Sequence, residues 1–406
     1  MLNLSYIFLV LSTFLGACKT KNVVNQQDTT VKTLSIYDEN IKVGAARTAD
    51  YLPFLKGKRV AMVVNQTSVL NDKHLVDSLL ALKINIKKIF APEHGFRGDG
   101  EAGEKIKDGK DAKTGLSIIS LHGKKFKPEP ADLADVDVLI FDIQDVGARF
   151  YTYISTLHYC MEACAENNKV LMVFDRPNPT GHYVDGPVLN PKFKSFVGLD
   201  LLPVVHGLTI GEYAQMTNGE GWLKDKIKCN LQIIKCLDYS HDKFYEVKIA
   251  PSPNLKTMRS IYLYPSICFF EGTNVSLGRG TETPFEVIGF PKNPEGDYTF
   301  TPRPNAGSKT PPLNGELCKG FSFSTKNIKD LQAIKQLNIS YLIDFYKNYP
   351  NKNQYFLANN FIDKLAGTDQ LRLMILAGKS EEEIRASWQA DLEKYKAMRA
   401  KYLLYD

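Results

Sequence analysis

Hydrophobic residues occur along this chain in short continuous runs that alternate with segments of helical spacing. Six runs have the apolar content of strands that are buried on both faces of a sheet. They span residues 59–64, 84–90, 116–121, 136–141, 170–174 and 203–205. Between them, residues 75–82 and 153–164 place apolar side chains every three or four positions, which indicates helices. This alternation predicts an α/β fold with a parallel sheet and right-handed crossovers.

Polar or ionisable side chains follow each predicted strand. These residues are Asn65, Glu93, His122, Asp142 and Asp145, Asp175 and Arg176, and His206. The carboxyl ends of parallel strands meet at one edge of a sheet, and open α/β folds bind their ligands at that edge. We therefore predict a site along this edge, with Phe96, Tyr151 and Tyr153 available for stacking.

The loop after residues 84–90 carries the densest cluster. A proline ends the strand, and two glycines loosen the backbone around Glu93, His94 and Arg97. Residues 98–103 then spell G-x-G-x-x-G, but no apolar helix follows and the acidic side chains would repel a pyrophosphate. We interpret this segment as a mobile acidic loop over the site rather than a dinucleotide fingerprint.

The residue pattern of the chain changes after about residue 245. Residues 251–254 look like a linker, and a glycine-rich stretch follows at residues 270–282. The last predicted helix begins with a capping box, Ser380 with Glu383, and its apolar stripe indicates core packing that closes a second domain. We predict a first domain at residues 45–246 and a smaller one at residues 247–406.

The amino terminus resembles the signal peptide of a bacterial lipoprotein. Residues 1–18 contain an apolar run and a small-residue cleavage site that ends in Cys18, although the first five residues carry no Lys or Arg. A plain secretory signal and a membrane helix are the alternatives, but the run is short for a span. We expect a lipid on Cys18, a flexible tether at residues 19–44, and a place in the cell envelope, in the periplasm or on the outer membrane.

Composition and residue spacing reduce the number of functions that the sequence supports. The net charge of +6 is spread out, which does not favour nucleic-acid binding, and no Cys or His spacing predicts a metal or other cofactor. Cys229 and Cys236 flank a short apolar run and are left open as a disulfide. No G-x-S-x-G elbow is present, so a reaction driven by carboxylates remains, and glycoside hydrolysis fits. On these observations alone, an enzyme and a binding module are equally favoured.

Longer motifs resemble those of one enzyme family. They lie at residues 90–98, 141–153, 175–179, 206–212, 270–274 and 278–281. These segments are similar to the signature of the NamZ-type exo-β-N-acetylmuramidases. The resemblance implies a Rossmann-like N-terminal domain, a smaller C-terminal α/β domain and an active site in the cleft between them. It also implies release of N-acetylmuramic acid from the non-reducing end of peptidoglycan fragments.

Candidate roles follow for the residues of these motifs. We expect Glu93 to be the general acid, because partial burial would raise its pKa, and His94 to orient it or the substrate. The second carboxylate is left open among Asp142, Asp145, Glu104 and Glu271. A cation should pair with the lactyl carboxylate of muramic acid, and the candidates are Arg97, Arg149 and Arg279, each of which could instead hold loops together.

The remaining predicted substrate-binding residues share a place in these motifs or at the strand ends. They are Asn65, Glu104, Gln144, Tyr151, Asp175, Arg176, His206, Glu271 and Asn274. The competing interpretation is a surface lipoprotein that binds muropeptides without cleaving them. An amidase or deacetylase that acts on peptidoglycan is a third and less favoured interpretation.

Overall fold

The computed structural model describes residues 36–70, 72–97 and 108–406. The predictions for Cys18, for Glu104 and for the glycine-rich loop at residues 98–103 therefore lie outside the described residues. From Ile36 to Asp406 the chain forms one compact unit. Within the described residues, no helix combines the length and the apolar composition that crossing a bilayer requires.

Twelve strands are described, and seven of them form the main sheet. The strands are β1 Arg59–Val64, β2 Val69–Leu70, β3 Lys73–His74, β4 Asn85–Ala91, β5 Gly109–Lys110, β6 Ser117–Ser120, β7 Val138–Asp142, β8 Val170–Phe174, β9 Asn230–Ile234, β10 Val287–Pro291, β11 Tyr298–Phe300 and β12 Cys318–Ser322. The order in the main sheet is β5-β6-β4-β1-β7-β8-β9, and only the edge strand β5 runs antiparallel to its neighbour. The six parallel strands, counted along the chain, have the order 3-2-1-4-5-6 of a Rossmann sheet.

Eleven α-helices accompany these strands in the described residues. They are α1 Thr48–Leu55, α2 Leu75–Ala81, α3 Pro130–Leu133, α4 Tyr153–Glu166, α5 Ile210–Glu220, α6 Met258–Ile267, α7 Ile328–Gln332, α8 Ser340–Asn348, α9 Phe361–Ala366, α10 Gln370–Leu376 and α11 Glu381–Arg399. Successive residues of β1 point to opposite faces, so Ala61 and Val63 join one apolar core while Val60 and Met62 join another. The sheet is thus covered on both faces, which explains why its strands are continuous apolar runs.

The predicted α/β fold with a parallel sheet is confirmed, and so are most predicted strands. Residues 59–64 and 170–174 match β1 and β8, but residues 203–205 form no strand. There Val205 makes only single bridges to Ala148 and Asp185. Strand β9 was not predicted because its residues are half-buried at an edge and include polar side chains.

The C-terminal half contains the three-stranded antiparallel sheet β10-β12-β11 and helices α6 to α11. The apolar stripe of α11 is buried as predicted, but its hydrogen bonds run to the first half of the chain. Tyr395 donates its hydroxyl to the carbonyl of His206 at 2.6 Å, and Trp388 donates to Asp185 at 3.3 Å. The expectation that this helix closes the second domain is therefore incomplete, because it also covers the first.

The segment after α11 returns to the main sheet. The hydroxyl of Tyr405 donates to Oδ2 of Asp175, beyond β8, at 2.6 Å and accepts from the backbone N–H of Cys236, beyond β9, at 2.8 Å. Cys236 is a free, buried thiol, and so is Cys229 at the other end of β9. A strand of this length holds the two thiols well beyond the reach of a disulfide.

Arg149 joins the two halves of the chain. Its guanidinium is fully buried and donates to the carbonyls of Pro187 at 2.9 Å, Leu202 at 2.5 Å and Leu365 at 2.8 Å. Burial lowers the pKa of Arg149 to about 9. Carbonyl dipoles thus stabilise this buried cation, and Leu365 belongs to α9 in the C-terminal half.

We predict that Arg149→Lys destabilises the protein by about 2–4 kcal/mol, because an ammonium cannot reproduce the planar fork and leaves buried carbonyls unsatisfied. Urea unfolding measures this change. Arg97→Lys is the matched control, since the side chain of Arg97 is exposed and the ammonium of lysine can still pair with Asp111, and it should change stability by less than about 1 kcal/mol. Equal stabilities of the two variants would contradict the role assigned to Arg149.

Candidate active site

A cavity of about 340 Å³ lies between residues of the main sheet's carboxyl edge and residues of the C-terminal half. Glu93, His94 and His122 line it from the loops after β4 and β6. Glu271 and Arg279 line it from the C-terminal half. The cavity therefore has carboxylates from both halves of the chain.

A tight turn presents Glu93 to the cavity. Strand β4 ends at Ala91, and the chain turns through His94 and Gly95, which have φ angles of 69° and 80°. A left-handed conformation costs a residue with a side chain about 1 kcal/mol, and histidine tolerates it better than most. The N–H of Gly95 donates to the carbonyl of Pro92 at 3.0 Å, which fixes the turn.

Thr152 and His122 lie beside the carboxylate of Glu93. The hydroxyl of Thr152, just before α4, donates to Oε2 at 2.5 Å. Nε2 of His122 lies 3.9 Å from Oε1. Strands β4 and β6 are adjacent in the sheet, so the residues that follow them meet. His122 followed a predicted strand, but only this adjacency identifies it as a neighbour of Glu93.

An ion pair from the C-terminal half also lines the cavity. Glu271 lies in the short helical turn Cys268–Gly272, and its Oε1 is 2.6 Å from Nη2 of Arg279. The guanidinium also lies over the ring of Phe285, 5.2 Å from its centroid. Burial alone would lower the pKa of Arg279, but the charge of Glu271 and the hydrogen bond to it outweigh burial and raise that pKa.

Aromatic rings also line the cavity. The rings of Tyr151 and Tyr264 meet edge to face at 5.7 Å, and Tyr264 packs against Phe285 at 5.1 Å. Tyr264, Phe196 and Phe361 were not predicted as site residues. They come from segments far apart in the chain, and no local motif marks them.

The segment at residues 251–254, predicted as a linker, is instead part of the site. Tyr153 donates its hydroxyl to the carbonyl of Pro251 at 2.9 Å, and Gln66 donates to the same carbonyl at 3.1 Å. Ser252 and Asn254 are buried and line the cavity. The segment is therefore fixed against the carboxyl edge of the sheet.

Several predicted site residues form the buried framework under this edge. Arg176 binds Asp142 through two hydrogen bonds of 2.6 and 2.9 Å, and both side chains are buried. Asn65 donates to the hydroxyl of Tyr153 at 2.9 Å, and Gln144 donates to two backbone carbonyls. None of these four is among the described residues that line the cavity. Their polar groups are engaged within the protein, so the geometry does not favour the contacts with substrate predicted for them.

Asp175 also serves the framework. It is fully buried, and it accepts hydrogen bonds from Thr209 at 2.7 Å and from the N–H of Gly211 at 2.7 Å, at the start of α5, as well as from Tyr405. Burial raises the pKa of Asp175 to about 6 against these hydrogen bonds. Its position favours a structural role over the predicted binding of substrate.

The three arginines proposed for the lactyl carboxylate lie in different surroundings. Arg97 is exposed and pairs with Asp111 at 2.8 Å, and Arg149 is buried among carbonyls. Of the three, only Arg279 belongs to the described cavity lining. Asn274 donates to the carbonyl of Gln354 at 2.6 Å and lines a second, neighbouring cavity.

Asp145 and His206 form a buried pair that does not belong to the described cavity lining. Oδ2 of Asp145 accepts from the N–H of Gly147 at 2.7 Å and lies 3.9 Å from Nε2 of His206. Nδ1 of His206 accepts from the N–H of Leu208, so the neutral ring carries its proton on Nε2. Burial, followed by the charges of Arg399 and Arg149, lowers the pKa of His206 to about 3.

Burial also raises the pKa of Asp145 to about 7, against the opposing hydrogen bonds from Gly147 and Val146. Oδ1 of Asp145 has no hydrogen-bond partner among the described residues. The folded state therefore holds a proton on Asp145 that the unfolded chain releases near its usual pKa. The folded state accordingly loses stability as the pH rises from about 4 to about 7.

We predict that the free energy of unfolding of Asp145→Asn, relative to that of the wild type, is roughly 2–3 kcal/mol higher at pH 8 than at pH 5, because the amide never ionises. Urea unfolding at the two pH values measures the difference. Asp391→Asn, an exposed position on α11, is the control and should show no such pH dependence. An equal difference in stability between Asp145→Asn and the wild type at both pH values would argue against a raised pKa of Asp145.

Among the described residues, no group of three or more His, Cys, Asp or Glu side chains is arranged to hold a metal ion. The chemistry that this cavity offers is that of two carboxylates, two imidazoles and one guanidinium among aromatic rings. The fold and the cavity together define an α/β protein whose Rossmann sheet and C-terminal part share a cavity with two carboxylates.

Comparison with known proteins identifies the family. Models of the N-terminal and C-terminal parts of Exo-beta-N-acetylmuramidase NamZ match residues 60–259 and 262–405. The chain is 40% identical, over 88% of its length and 89% of the relative, to Peptidoglycan beta-N-acetylmuramidase NamZ of Bacillus subtilis (strain 168). The chain belongs to the NamZ family, as its motifs predicted.

Two crystal structures share the fold. Both are DUF1343 family proteins of Bacteroides fragilis NCTC 9343. One is 46% identical with a TM-score of 0.84, and the other is 30% identical with a TM-score of 0.77. Each comparison covers 90% of this chain and 99% of the other.

Proposed function

We propose that this protein is an exo-acting β-N-acetylmuramidase that releases N-acetylmuramic acid from the non-reducing ends of peptidoglycan glycan fragments. Membership of the NamZ family supports the substrate class. The observation that carries the proposal is that Glu93, from the N-terminal half, and Glu271, from the C-terminal half, line one aromatic-lined cavity. Two carboxyl groups on either side of a sugar are what glycoside hydrolysis requires.

The surroundings of the two carboxyl groups suggest different roles. Glu271 is paired with Arg279, and we assign it to stabilise the positive charge that develops on the sugar ring. The hydroxyl of Thr152 fixes the orientation of one oxygen of Glu93, and Nε2 of His122 lies 3.9 Å from the other. We assign Glu93 as the general acid that protonates the glycosidic oxygen, with His94 and His122 beside it.

Arg279 supports selectivity for muramic acid. Muramic acid carries a lactyl carboxylate that glucosamine lacks, and a guanidinium presents five donors, enough for Glu271 and a second carboxylate. Arg279 is the one Lys or Arg among the described residues that line the cavity. An analogue without the lactyl group would leave some of these donors unpaired, which penalises its binding.

We predict that Glu93→Gln lowers kcat/KM for N-acetylmuramyl-β-1,4-N-acetylglucosamine by at least about a hundred-fold, because its sugar leaving group must be protonated and the amide cannot donate the proton. Initial rates of the soluble ectodomain, starting after Cys18, measure this change. The matching β-N-acetylglucosaminide should react much more slowly with the wild type. Glu39→Gln, at an exposed position outside the described cavity lining, is the matched control and should retain activity.

Two outcomes would contradict the assignment. Undiminished turnover by Glu93→Gln would exclude Glu93 as the acid. If the wild type hydrolyses neither glycoside but binds muropeptides, the protein is a surface binder and not an enzyme.

We further propose that Cys18 is lipidated and anchors the protein in the cell envelope, where peptidoglycan fragments are available. Residues 15–18, Leu-Gly-Ala-Cys, support this proposal. We predict that the wild type incorporates labelled palmitate and sediments with membranes, and that Cys18→Ser does neither. Labelling of the variant to the wild-type level would exclude Cys18 as the attachment site.

A further inference from the structure

A second cavity adjoins the candidate active site. Its volume is about 480 Å³, and its described lining comes only from residues 270–361. Glu271, Arg279 and Phe361 line both cavities. These three side chains therefore form a boundary that the two cavities share.

We infer that the second cavity binds the leaving-group sugar, an uncharged N-acetylhexosamine attached to the reducing side of the muramic acid. This inference rests on the proposed function. It divides the substrate between the two cavities, with the muramic acid between Glu93 and Glu271 and its leaving group beyond the Glu271–Arg279 pair.

Charge supports this division. Glu271 and Arg279 are the charged residues among those described in the second lining, and they pair with each other at 2.6 Å. The second cavity thus offers no other charge from its described lining to a ligand. A neutral sugar suits such a cavity, whereas a stem peptide with acidic residues would enter it without a counter-ion.

The remaining lining has the mixed character of a sugar site. Ser276, Ser308 and Thr310 supply hydroxyl groups, while Leu277 and Leu313 supply apolar surface. Sugars present hydroxyl groups around their edge and C–H groups on their faces, so they need both kinds of contact. The half-buried ring of Phe361, at the boundary of the two cavities, is available to a C–H face of either sugar.

Thr310 provides a test that spares the fold. It is exposed and lines only the second of the two cavities, so Thr310→Trp should fill part of that cavity without disturbing the core. Thr325→Trp is the matched control, because Thr325 is also exposed but belongs to neither described lining. Circular dichroism and thermal unfolding confirm that both variants fold.

The kinetic readout is a ratio of two substrates. One is the disaccharide N-acetylmuramyl-β-1,4-N-acetylglucosamine, and the other is N-acetyl-β-muraminyl fluoride, whose leaving group is a single atom. In Thr310→Trp the ratio of kcat/KM for the disaccharide to kcat/KM for the fluoride should fall about ten-fold or more. In Thr325→Trp it should stay within about two-fold of the wild type. An unchanged ratio in Thr310→Trp, including an equal loss on both substrates, would overturn the inference.

A binding measurement keeps this test separate from that of the proposed function. Calorimetry compares N-acetylmuramic acid with the disaccharide on Glu93→Gln, with and without Thr310→Trp. We expect the disaccharide to bind more tightly than the monosaccharide, and Thr310→Trp to remove that advantage. If the wild type hydrolyses neither substrate, the proposed function fails and this comparison alone decides. Equal affinities for the two sugars would then exclude a second sugar site.

Discussion

The candidate active site depends on two halves of one chain being fixed against each other. Part of this constraint comes from a buried cation that has no acidic partner among the described residues. Arg149 donates to carbonyls on both sides of the boundary, from Leu202 in the first half and Leu365 in the second. Carbonyl groups are neutral, so the positive charge stays uncompensated and acts on its surroundings. It contributes to the low pKa of His206, which keeps that imidazole neutral beside Asp145.

The Rossmann topology allows the position of the cavity to be compared with the usual ligand site of such a sheet. Ligands of such sheets usually bind at the switch point, between the first and the fourth parallel strands, here β1 and β7. In this protein the groups at that point bind one another: Ser68 donates to the carbonyl of Asp142, and Thr67 accepts the N–H of Gln144 at 3.0 Å. The cavity is displaced toward the ends of β4 and β6, where Glu93 and His122 lie.

This displacement sets the limit of what the sequence could predict. The buried strands were predictable because a covered parallel sheet requires continuous apolar runs, and Glu93 was predictable because a proline turn ends such a run. Asp142 and Arg176 follow strands in the same way, but they pair because β7 and β8 are neighbours in the sheet. Opposite charges at successive strand ends were the available signal for that pair. The order of the strands in the sheet decides which strand-end residues line the cavity and which belong to the buried framework. Strand order is a long-range property, so the local sequence pattern does not contain it.

The C-terminal half was harder to predict for the same reason. Tyr264 and Phe361 reach the cavity from α6 and from the first residue of α9, and nothing in their local sequence distinguishes them from core residues. The segment at residues 251–254 has the composition of a linker, yet hydrogen bonds to Tyr153 and Gln66 make it a wall of the site. Proline and serine content indicates an irregular backbone but does not indicate whether that backbone is anchored.

The hydrogen bond between Tyr405 and Asp175 spans 230 positions of the chain. A contact of this sequence separation forms late in folding, because a long loop must close before it is made. Until then the buried carboxylate of Asp175 and the N–H of Cys236 lack one of their partners. We therefore expect the sheet and the C-terminal half, which lie in one compact unit, to unfold together, although separate family models describe the two parts.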